Sequence, residues 1–304
     1  MNPPPPLTRY ISDDDLADLA RRARREDLGP DELDVSSVLF IPEDSEGSAR
    51  FVAREPGVMA GIATLSALAA AYHHDLEVEL LVGDGRRVEA GEALAVVAGP
   101  MRAVLAYERV ALNLLRRLGG IATLTAACVA KCEGTRAKIL DTRKTTPTLR
   151  GLEKYAVACG GGVNHRMGLY DAVLLKDNHL ARVPGEALGD RIAAAVERAR
   201  GEFPSLKFIE VEVDALDQLA AVLPTGVDIV LLDNMDADAL RRAVKLRDET
   251  APGVELEASG GVTLDTLREL AATGVDRLSI GALTHSAPSL DIALDFLPPT
   301  GDEV

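Results

Sequence analysis

The sequence is poor in aromatic residues, cysteine and positive charge. Its 304 residues include five Phe, five Tyr, no Trp and three Cys. Lys and Arg number 33 against 48 Asp and Glu, which gives a formal net charge of -15. Affinity for nucleic acid depends on many Lys or Arg contacts with phosphates, and single strands also need aromatic side chains for stacking. The composition therefore argues against nucleic acid as a partner and favours small molecules.

Cysteines and long apolar runs are also scarce. Three Cys cannot build a disulfide framework, and the four-residue spacing of Cys128 and Cys132 in an Ala-rich stretch predicts buried thiols on one helix face. No apolar run approaches the roughly 18 residues that span a bilayer. Residues 1–10, MNPPPPLTRY, lack the basic start and apolar stretch of a signal peptide. We therefore predict a cytoplasmic protein with no membrane partner.

The first third of the chain has the pattern of a small mixed α/β module. Ser12 is placed to cap a helix that begins with three Asp and ends at Gly29. Short strand-like runs follow between about residues 36 and 100. An amphipathic helix is predicted over Arg102–Leu118, where it leads into a second domain.

The rest of the chain alternates strand-like and helical patterns. Near-continuous apolar runs, each followed by a helical pattern, indicate a parallel sheet that is buried on both faces. The six runs are 137–141, 171–177, 207–214, 228–234, 255–259 and 277–281. The sheet could close into a TIM-like barrel or remain an open doubly wound sheet, and six strands are fewer than the eight of a regular barrel.

Polar residues mark the carboxyl ends of these runs, where both architectures build active sites. They include Asp141, Arg143 and Lys144, then Lys176 and Asp177, Glu212 and Asp214, Asp233 and Asn234, Ser259 to Gly261, and finally Gly281. One such residue per strand is ordinary loop polarity. Six strand ends in a row, with carboxylates inside apolar runs, predict a functional site.

Positive charge is concentrated near two of these strand ends. Residues 136–182 hold nine Lys or Arg and four acids, although the whole chain is acidic. Arg143 adjoins Lys144 after one strand, and His165 adjoins Arg166 in a glycine-rich loop. Arg binds a carboxylate with two parallel hydrogen bonds and Lys supplies a point charge, so the two pairs could hold a substrate with two carboxylates. A solvated helix face would be an equally good reading of the charge alone.

Carboxylates and glycines occupy the remaining strand ends. Alternation in FIEVEVD puts Glu210, Glu212 and Asp214 on one face, and together with Asp233 they indicate a Mg²⁺ site, a cationic intermediate, or both. Salt bridges to nearby Lys and Arg side chains are the structural alternative. The last two strands end in ASGGVT and SIGALTHS, whose glycines let backbone N–H groups approach a phosphate.

Several long motifs resemble the quinolinate phosphoribosyltransferase family, the carboxylating nicotinate-nucleotide pyrophosphorylases of NAD synthesis. The resemblance runs from about residue 10 to residue 296. The motifs are, in order, ERVALNLLRRLGGIATLT, ILDTRKTTPTLRGLEKYAV, CGGGVNHRMGLYDAVLLKDNH, EVEVD, LLDNM, EASGGV and SIGALTHS.

The resemblance implies a fold and a reaction. The fold is an N-terminal α/β sandwich over residues 1–117 and an incomplete TIM-like α/β barrel of about six parallel strands over 118–286. It leaves open whether residues 287–304 pack on the first domain. The reaction is that of a pentosyltransferase. Quinolinate and phosphoribosyl pyrophosphate (PRPP) give nicotinate mononucleotide, pyrophosphate and CO₂ with Mg²⁺, in a homodimer or higher oligomer whose active sites take residues from both chains.

The resemblance also implies a role for each matching residue. Catalytic roles fall to Lys144, Lys176, Glu212 and Asp233. Substrate binding falls to Arg109 from the partner subunit and to Arg143, His165, Arg166, Ser259, Gly260, Gly281 and His285. Glu212 and Asp233 would face the ribose and Mg²⁺, which they could bind through water. Arg143, His165, Arg166 and Lys176 would surround the quinolinate carboxylates, with Lys144 near them or near the pyrophosphate.

Three other functions compete with this one. A relative from molybdate-transport operons shares the scaffold but has an uncertain substrate. A nicotinate phosphoribosyltransferase binds a monocarboxylate, so the doubled cationic pairs argue against it. A non-catalytic phosphoribosyl-binding protein would not need Glu212 and Asp233 inside apolar strands.

Overall fold

The structure, a computed structural model, describes residues 4–180 and 187–298, which form two compact units. The first unit takes in the described residues of 1–126, 146–161 and 286–304, and the second takes in those of 127–145 and 162–285. Within the described ranges, no helix is both long and apolar enough to cross a bilayer.

The first unit begins with short helices whose ends follow local sequence signals. Ser12 caps α1 by accepting a hydrogen bond from the Asp15 N–H (3.1 Å), as predicted, and three Asp in the first turn complement the helix dipole. Asp34 caps α2 in the same way, through Ser36 and Ser37. The three helices are α1 Asp13–Leu28, α2 Val35–Phe40 and α3 Leu65–Tyr72, and 3₁₀ turns cover Leu7–Arg9 and Ile62–Thr64.

Antiparallel strands form the sheet of this unit. The strands are β1 Glu46–Ala53, β2 Gly57–Val58, β3 Glu77–Leu80, β4 Arg87–Val88, β5 Ala93–Pro100 and β12 Ile292–Phe296. Four of them pair in the order β12-β1-β5-β3, and β2 pairs with β4. The core includes Phe51, Leu94 and Tyr107, all fully buried, and the Phe51 and Tyr107 rings meet edge to face at 6.1 Å. Residues 299–304 lie outside the described part of the chain. The last strand before them, β12, pairs with β1 in this sheet.

Helix α4 is longer than the sequence pattern predicts. It covers Met101–Lys131, whereas the amphipathic pattern predicts an end at Leu118. The Gly119–Gly120 pair resembles a helix stop, but a Cβ at Gly120 would lie 1.8 Å from the Pro288 carbonyl oxygen. The glycines thus allow another segment to pack against a continuing helix, and the Leu290 N–H donates to Arg116 O there (2.9 Å).

The division into units differs from a single boundary after residue 117. Besides the first 126 residues, the first unit includes α5, Arg150–Cys159. The fully buried Glu153 accepts a hydrogen bond from Arg117 (2.8 Å), and the Tyr155 hydroxyl donates to Asp84 (2.9 Å). These buried polar contacts explain why α5 clusters with α4 although its sequence lies between two strands of the second unit.

Six parallel strands form the sheet of the second unit, as the apolar runs predict. They are β6 Lys138–Leu140, β7 Val173–Leu175, β8 Ile209–Val213, β9 Ile229–Asp233, β10 Glu255–Ser259 and β11 Arg277–Ser279. Their order is β6-β11-β10-β9-β8-β7, so β6 and β7 follow each other in the chain but lie at opposite ends of the sheet. An isolated parallel bridge also pairs Leu140 of β6 with Val163, in the segment that precedes β7. The arrangement is an incomplete α/β barrel.

Helices follow the strands as in other α/β proteins. They are α6 Asp177–Leu180, α7 Leu188–Glu202, α8 Leu216–Val222, α9 Ala237–Thr250, α10 Leu267–Ala271 and α11 Ala282–His285, with a 3₁₀ turn at Leu223–Thr225. Asp236 caps α9 through the Ala239 N–H (2.8 Å). Along β9 the outward-facing Val230 and Leu232 are fully buried, which explains why this strand reads as a continuous apolar run.

Candidate functional site

A cavity of about 840 Å³ lies in the second unit, where the parallel strands end. This volume is within the range of small-molecule sites. Eleven of the twelve residues proposed from the sequence line it: Arg143, Lys144, His165, Arg166, Lys176, Glu212, Asp233, Ser259, Gly260, Gly281 and His285. Arg109 does not line it. This residue belongs to the first unit, on an exposed part of α4, 3.8 Å from Glu108.

The cations on one wall follow β6 directly. The chain leaves β6 at Asp141, which is fully buried and accepts hydrogen bonds from the His165 N–H (2.9 Å) and the Asn164 side chain (2.7 Å). These bonds join the loop after β6 to the loop before β7. The next residues include Arg143, whose buried Nε has no hydrogen-bond partner among the described residues. A buried guanidinium donor without a partner is suited to an anionic ligand.

A second carboxylate fixes the loop that carries Arg166. Asp171 accepts hydrogen bonds from the N–H groups of Met167 (2.9 Å) and Gly168 (3.0 Å) and from Lys207 Nζ (2.8 Å). Burial alone would raise the pKa of Asp171, but these hydrogen bonds outweigh burial and lower the pKa to about 2. Sequence reasoning missed this role because Asp171 has the appearance of an ordinary strand start.

The ends of β8 and β9 carry the predicted carboxylates. Glu212 forms an ion pair with Lys176, so the salt-bridge alternative holds for this residue. Asp233 accepts a hydrogen bond from Asn234 Nδ2 (2.8 Å). Asp214, expected on the same face as Glu212, is exposed beyond the end of β8 and does not line the cavity, because the strand ends at Val213.

These carboxylates offer limited ligation to a metal ion. Mg²⁺ prefers hard oxygen ligands and near-octahedral geometry, and it usually keeps several waters or substrate phosphates. Glu212 and Asp233 line one cavity, but Lys176 competes for Glu212. The residues therefore fit a cation that arrives with its own phosphate ligands, and they do not form a closed protein cage.

The loop after β10 comes very close to the end of β9. Gly260 has φ of +90°, and a Cβ at this position would lie 2.1 Å from Asn234 Oδ1. The Asn234 N–H donates to Ser259 O (2.8 Å), and Asn234 itself has a positive φ of 54°. Only glycine permits this approach, which leaves backbone exposed to the cavity beside Ser259.

Two buried acids, Glu210 and Glu257, lie beside His165; Glu257 lines the cavity, and of the two only Glu210 was considered from the sequence. Glu210 Oε2 lies 2.8 Å from His165 Nε2, and Glu257 Oε1 lies 3.5 Å from the same atom. Burial raises the pKa of Glu210 to about 7, although neighbouring cations oppose this effect. Burial and the adjacent Glu210 charge likewise raise the pKa of Glu257. Alternation placed Glu210 on the Glu212 face, and the same alternation in ELEAS places Glu257 on the Ser259 face, a signal that the sequence reasoning did not use.

Two family models match the chain. The C-terminal domain model of quinolinate phosphoribosyl transferase matches residues 121–295, and the N-terminal domain model of the same family matches residues 34–119. Together they cover most of the chain.

Curated relatives and solved structures give the same family. A carboxylating nicotinate-nucleotide pyrophosphorylase of Mycobacterium leprae is 46% identical over 287 residues, which are 93% of this chain and 98% of that protein. A probable enzyme of the same name from Bacillus subtilis is 42% identical, over 89% of each chain. The nicotinate-nucleotide pyrophosphorylase structure from Francisella tularensis has a TM-score of 0.84 and 33% identity, and covers 94% of this chain and 98% of that one. The chain therefore belongs to the quinolinate phosphoribosyltransferase family.

Proposed function

We propose that this protein transfers the phosphoribosyl group of PRPP to quinolinate and releases CO₂, which makes nicotinate mononucleotide and pyrophosphate for NAD biosynthesis. One observation carries the proposal. A single cavity brings together the cations after β6 and before β7, the carboxylates of β8 and β9, and the glycine-containing loops after β10 and β11. This combination suits two anionic substrates that react through a positively charged centre.

The acceptor side of the cavity is assigned to the cations. Quinolinate carries two carboxylates on adjacent ring positions, and Arg143 and Arg166 can each bind one through paired N–H donors. Lys176 adds a point charge once it leaves Glu212, and His165 belongs to the same wall. The buried Nε of Arg143, which has no partner among the described residues, supports this assignment.

The donor side of the cavity is assigned to the late strands. Backbone beside Ser259, Gly260 and Gly281 can approach the 5′-phosphate of PRPP, with His285 beside it. Lys144 follows β6, and its carbonyl accepts a hydrogen bond from Thr284 of α11 (2.8 Å). This bond connects the Lys144 segment to the phosphate loops and supports a role for Lys144 near the leaving pyrophosphate.

The carboxylates act on the reacting carbon. As the pyridine nitrogen attacks the ribose anomeric carbon and the C–O bond to pyrophosphate breaks, positive charge grows on that carbon. Glu212 and Asp233 stabilise this charge, and Lys144 neutralises charge that grows on the leaving group. Mg²⁺, when bound with PRPP, supplies further neutralisation, and Glu212 and Asp233 are the residues that would hold it, directly or through water.

Decarboxylation follows from the new bond. The quaternised ring draws the electron pair of the C2–carboxylate bond, CO₂ leaves, and a proton takes its place on C2. The arginine that binds this carboxylate must hold it in the ground state without stabilising it more than the transition state. We therefore expect the cationic side chains to neutralise most, but not all, of the negative charge of this carboxylate.

We further propose that two chains share each site and that the protein acts in the cytoplasm. Arg109 lies outside the cavity, with a side chain 56% exposed, so it can reach a cavity of a second copy. Helix α2 also exposes large apolar side chains, with Leu39 at 72% and Phe40 at 84%. Exposed apolar clusters of this kind are typical of protein interfaces.

Two assays test these proposals. In the first, quinolinate, PRPP and Mg²⁺ are mixed with the protein, and nicotinate mononucleotide and CO₂ are measured together, with nicotinate replacing quinolinate in parallel. Product and CO₂ in equal amounts from quinolinate alone are expected. Product from nicotinate would contradict the two-carboxylate pocket, and no product from either acceptor would refute the proposed reaction.

The second assay mixes two inactive variants, Arg109→Ala and Arg143→Ala. If the site is shared, half of randomly mixed dimers are heterodimers with one intact site each, so about a quarter of the activity should return. No recovery after subunit exchange, verified by tagged subunits, would refute the shared site.

A further inference from the structure

A layer of charged side chains lies at the base of the cavity, and Glu257 of this layer also lines it. Alternate residues of a strand face the same side of a sheet, so the residue two positions before a cavity-lining strand residue points into the same interior, one layer below. In β8, β10 and β11 these positions hold charged residues instead of the apolar side chains that usually fill barrel interiors. We call Glu210, Glu257 and Arg277 the lower layer.

The lower layer contacts the cavity wall through His165. Glu210 Oε2 lies 2.8 Å from His165 Nε2, and the other ring nitrogen, Nδ1, lies 2.8 Å from the backbone N of Arg166. A backbone N–H can only donate, so Nδ1 accepts, and the proton of the neutral ring is on Nε2, the nitrogen that contacts Glu210. The imidazole therefore connects the Glu210 carboxylate to the main chain from which Arg166 extends.

Within the lower layer, Glu257 is held by Arg277. Arg277 Nε donates to Glu257 Oε2 (2.7 Å), whereas neither oxygen of Glu210 accepts a hydrogen bond of normal geometry from the residues that the structure describes. The 2.8 Å approach of Glu210 Oε2 to His165 Nε2 is therefore a close electrostatic contact and not a hydrogen bond. Both acids are fully buried, and the edge of the imidazole packs on the Phe208 ring at 5.1 Å between centroids.

His165, Glu210 and Glu257 each offer one ligand atom, and these three atoms lie within 4.8 Å of one another. A metal ion between them is nevertheless disfavoured. A metal on Nε2 would require the ring proton on Nδ1, where it would oppose the Arg166 N–H. The geometry suits a proton-bearing Nε2 between carboxylates.

We infer that Glu210 is a positioning residue for quinolinate binding. Its carboxylate lies against Nε2 and favours the His165 tautomer that has its proton on Nε2 and accepts the Arg166 N–H at Nδ1, which fixes the backbone from which the Arg166 guanidinium reaches the cavity. The inference rests on the proposed function, because it assigns Arg166 to a quinolinate carboxylate. PRPP binding, assigned to other loops, is independent of this connection.

Kinetics of three variants test the inference. Glu210→Leu removes the carboxylate that contacts Nε2 and should raise the KM for quinolinate about tenfold, with the KM for PRPP changed less than about twofold. Glu210→Gln retains an acceptor oxygen in nearly the same volume and should stay within about threefold of the wild type. Glu255→Gln is the matched control, because Glu255 contacts Arg277 Nη1 (3.0 Å) but not His165.

The outcomes separate a positioning role from a structural one. Equal increases of both KM values, or a Gln variant as impaired as the Leu variant, would overturn the inference. So would a control variant with the same quinolinate defect. Thermal unfolding of each variant is measured alongside, since removal of one partner from a buried group of interacting charges often destabilises a protein.

Nitrogen NMR provides a test that does not depend on activity or on the Leu variant. The chain has five His, so ¹⁵N-labelled imidazoles can be resolved, and a His165→Asn sample assigns the resonance. We expect Nε2 of His165 protonated and Nδ1 unprotonated in the wild type. A proton on Nδ1 would overturn the inference even if the enzyme uses quinolinate. A wild-type protein that shows the expected tautomer but does not convert quinolinate would instead contradict the proposed function.

Discussion

Replacement of Gly260 by Ala should damage the site through a specific collision. The new Cβ would lie 2.1 Å from Asn234 Oδ1 and 3.0 Å from Asn234 N. The side chain of Asn234 cannot swing away freely, because its Nδ2 donates to Asp233 Oδ2 (2.8 Å). Its backbone N–H is also engaged, with Ser259 O (2.8 Å). The substitution must therefore displace the residue that orients the Asp233 carboxylate.

The neighbouring glycine supplies a matched control for the magnitude. Gly261 also has a positive φ, +62°, but a Cβ there would meet nothing within 4 Å. A non-glycine residue in this conformation costs about 1–2 kcal/mol, and both variants carry that cost. Gly260→Ala additionally loses a hydrogen bond and displaces Asp233, which we set at about 1–2 kcal/mol of transition-state binding. This difference corresponds to roughly a 5- to 30-fold lower kcat/KM for Gly260→Ala than for Gly261→Ala.

The assay compares kcat/KM for PRPP at saturating quinolinate in both variants, together with their melting temperatures. Similar decreases in melting temperature with unequal kcat/KM are expected. Equal kcat/KM values for the two variants would refute the reasoning, because the collision with Asn234 would then have no effect on Asp233.

Three further predictions concern other parts of the chain. Arg143→Ala should abolish turnover mainly through weaker quinolinate binding, and an unchanged KM for quinolinate would contradict that assignment. Asp171 has a pKa of about 2 in the fold against an ordinary 3.8, so its ion pair with Lys207 and its backbone bonds contribute stability above about pH 4 that is lost toward pH 2. Asp171→Asn should thus be less stable than the wild type by about 2 kcal/mol at pH 7, with the difference vanishing near pH 2 in urea titrations. Burial raises the pKa of the Cys128 thiol to about 11 and also raises the pKa of the Cys159 thiol. A disulfide reagent at pH 8 should therefore react far faster with unfolded than with folded protein. Equal rates would contradict this prediction.

The strands of the second unit were predictable because each is a short apolar run that ends in polar residues. Both signals come from local physics. A parallel strand is buried on both faces, and its carboxyl end opens into a loop that carries the site. The polar residue at the end of each run, such as Asp233 after IVLL, therefore marked the position of the cavity wall.

Other features depend on contacts between distant segments and could not be predicted. Helix α4 continues past Gly119 because Pro288 packs there, and no local pattern reveals that contact. The buried position of Glu257 depends on its alignment with Arg277 in the neighbouring strand. Likewise, the ion pair of Glu212 could be proposed, but its choice of Lys176 over other cations required the fold.

The lower layer has a consequence for how the second unit is stabilised. A barrel interior that holds ionic side chains gains little from hydrophobic burial, so the free energy that keeps the sheet folded must come mainly from its outer face. There, Val230 and Leu232 are fully buried. The interior face of the sheet can therefore change in charge and chemistry, while the outer face keeps the strands in place.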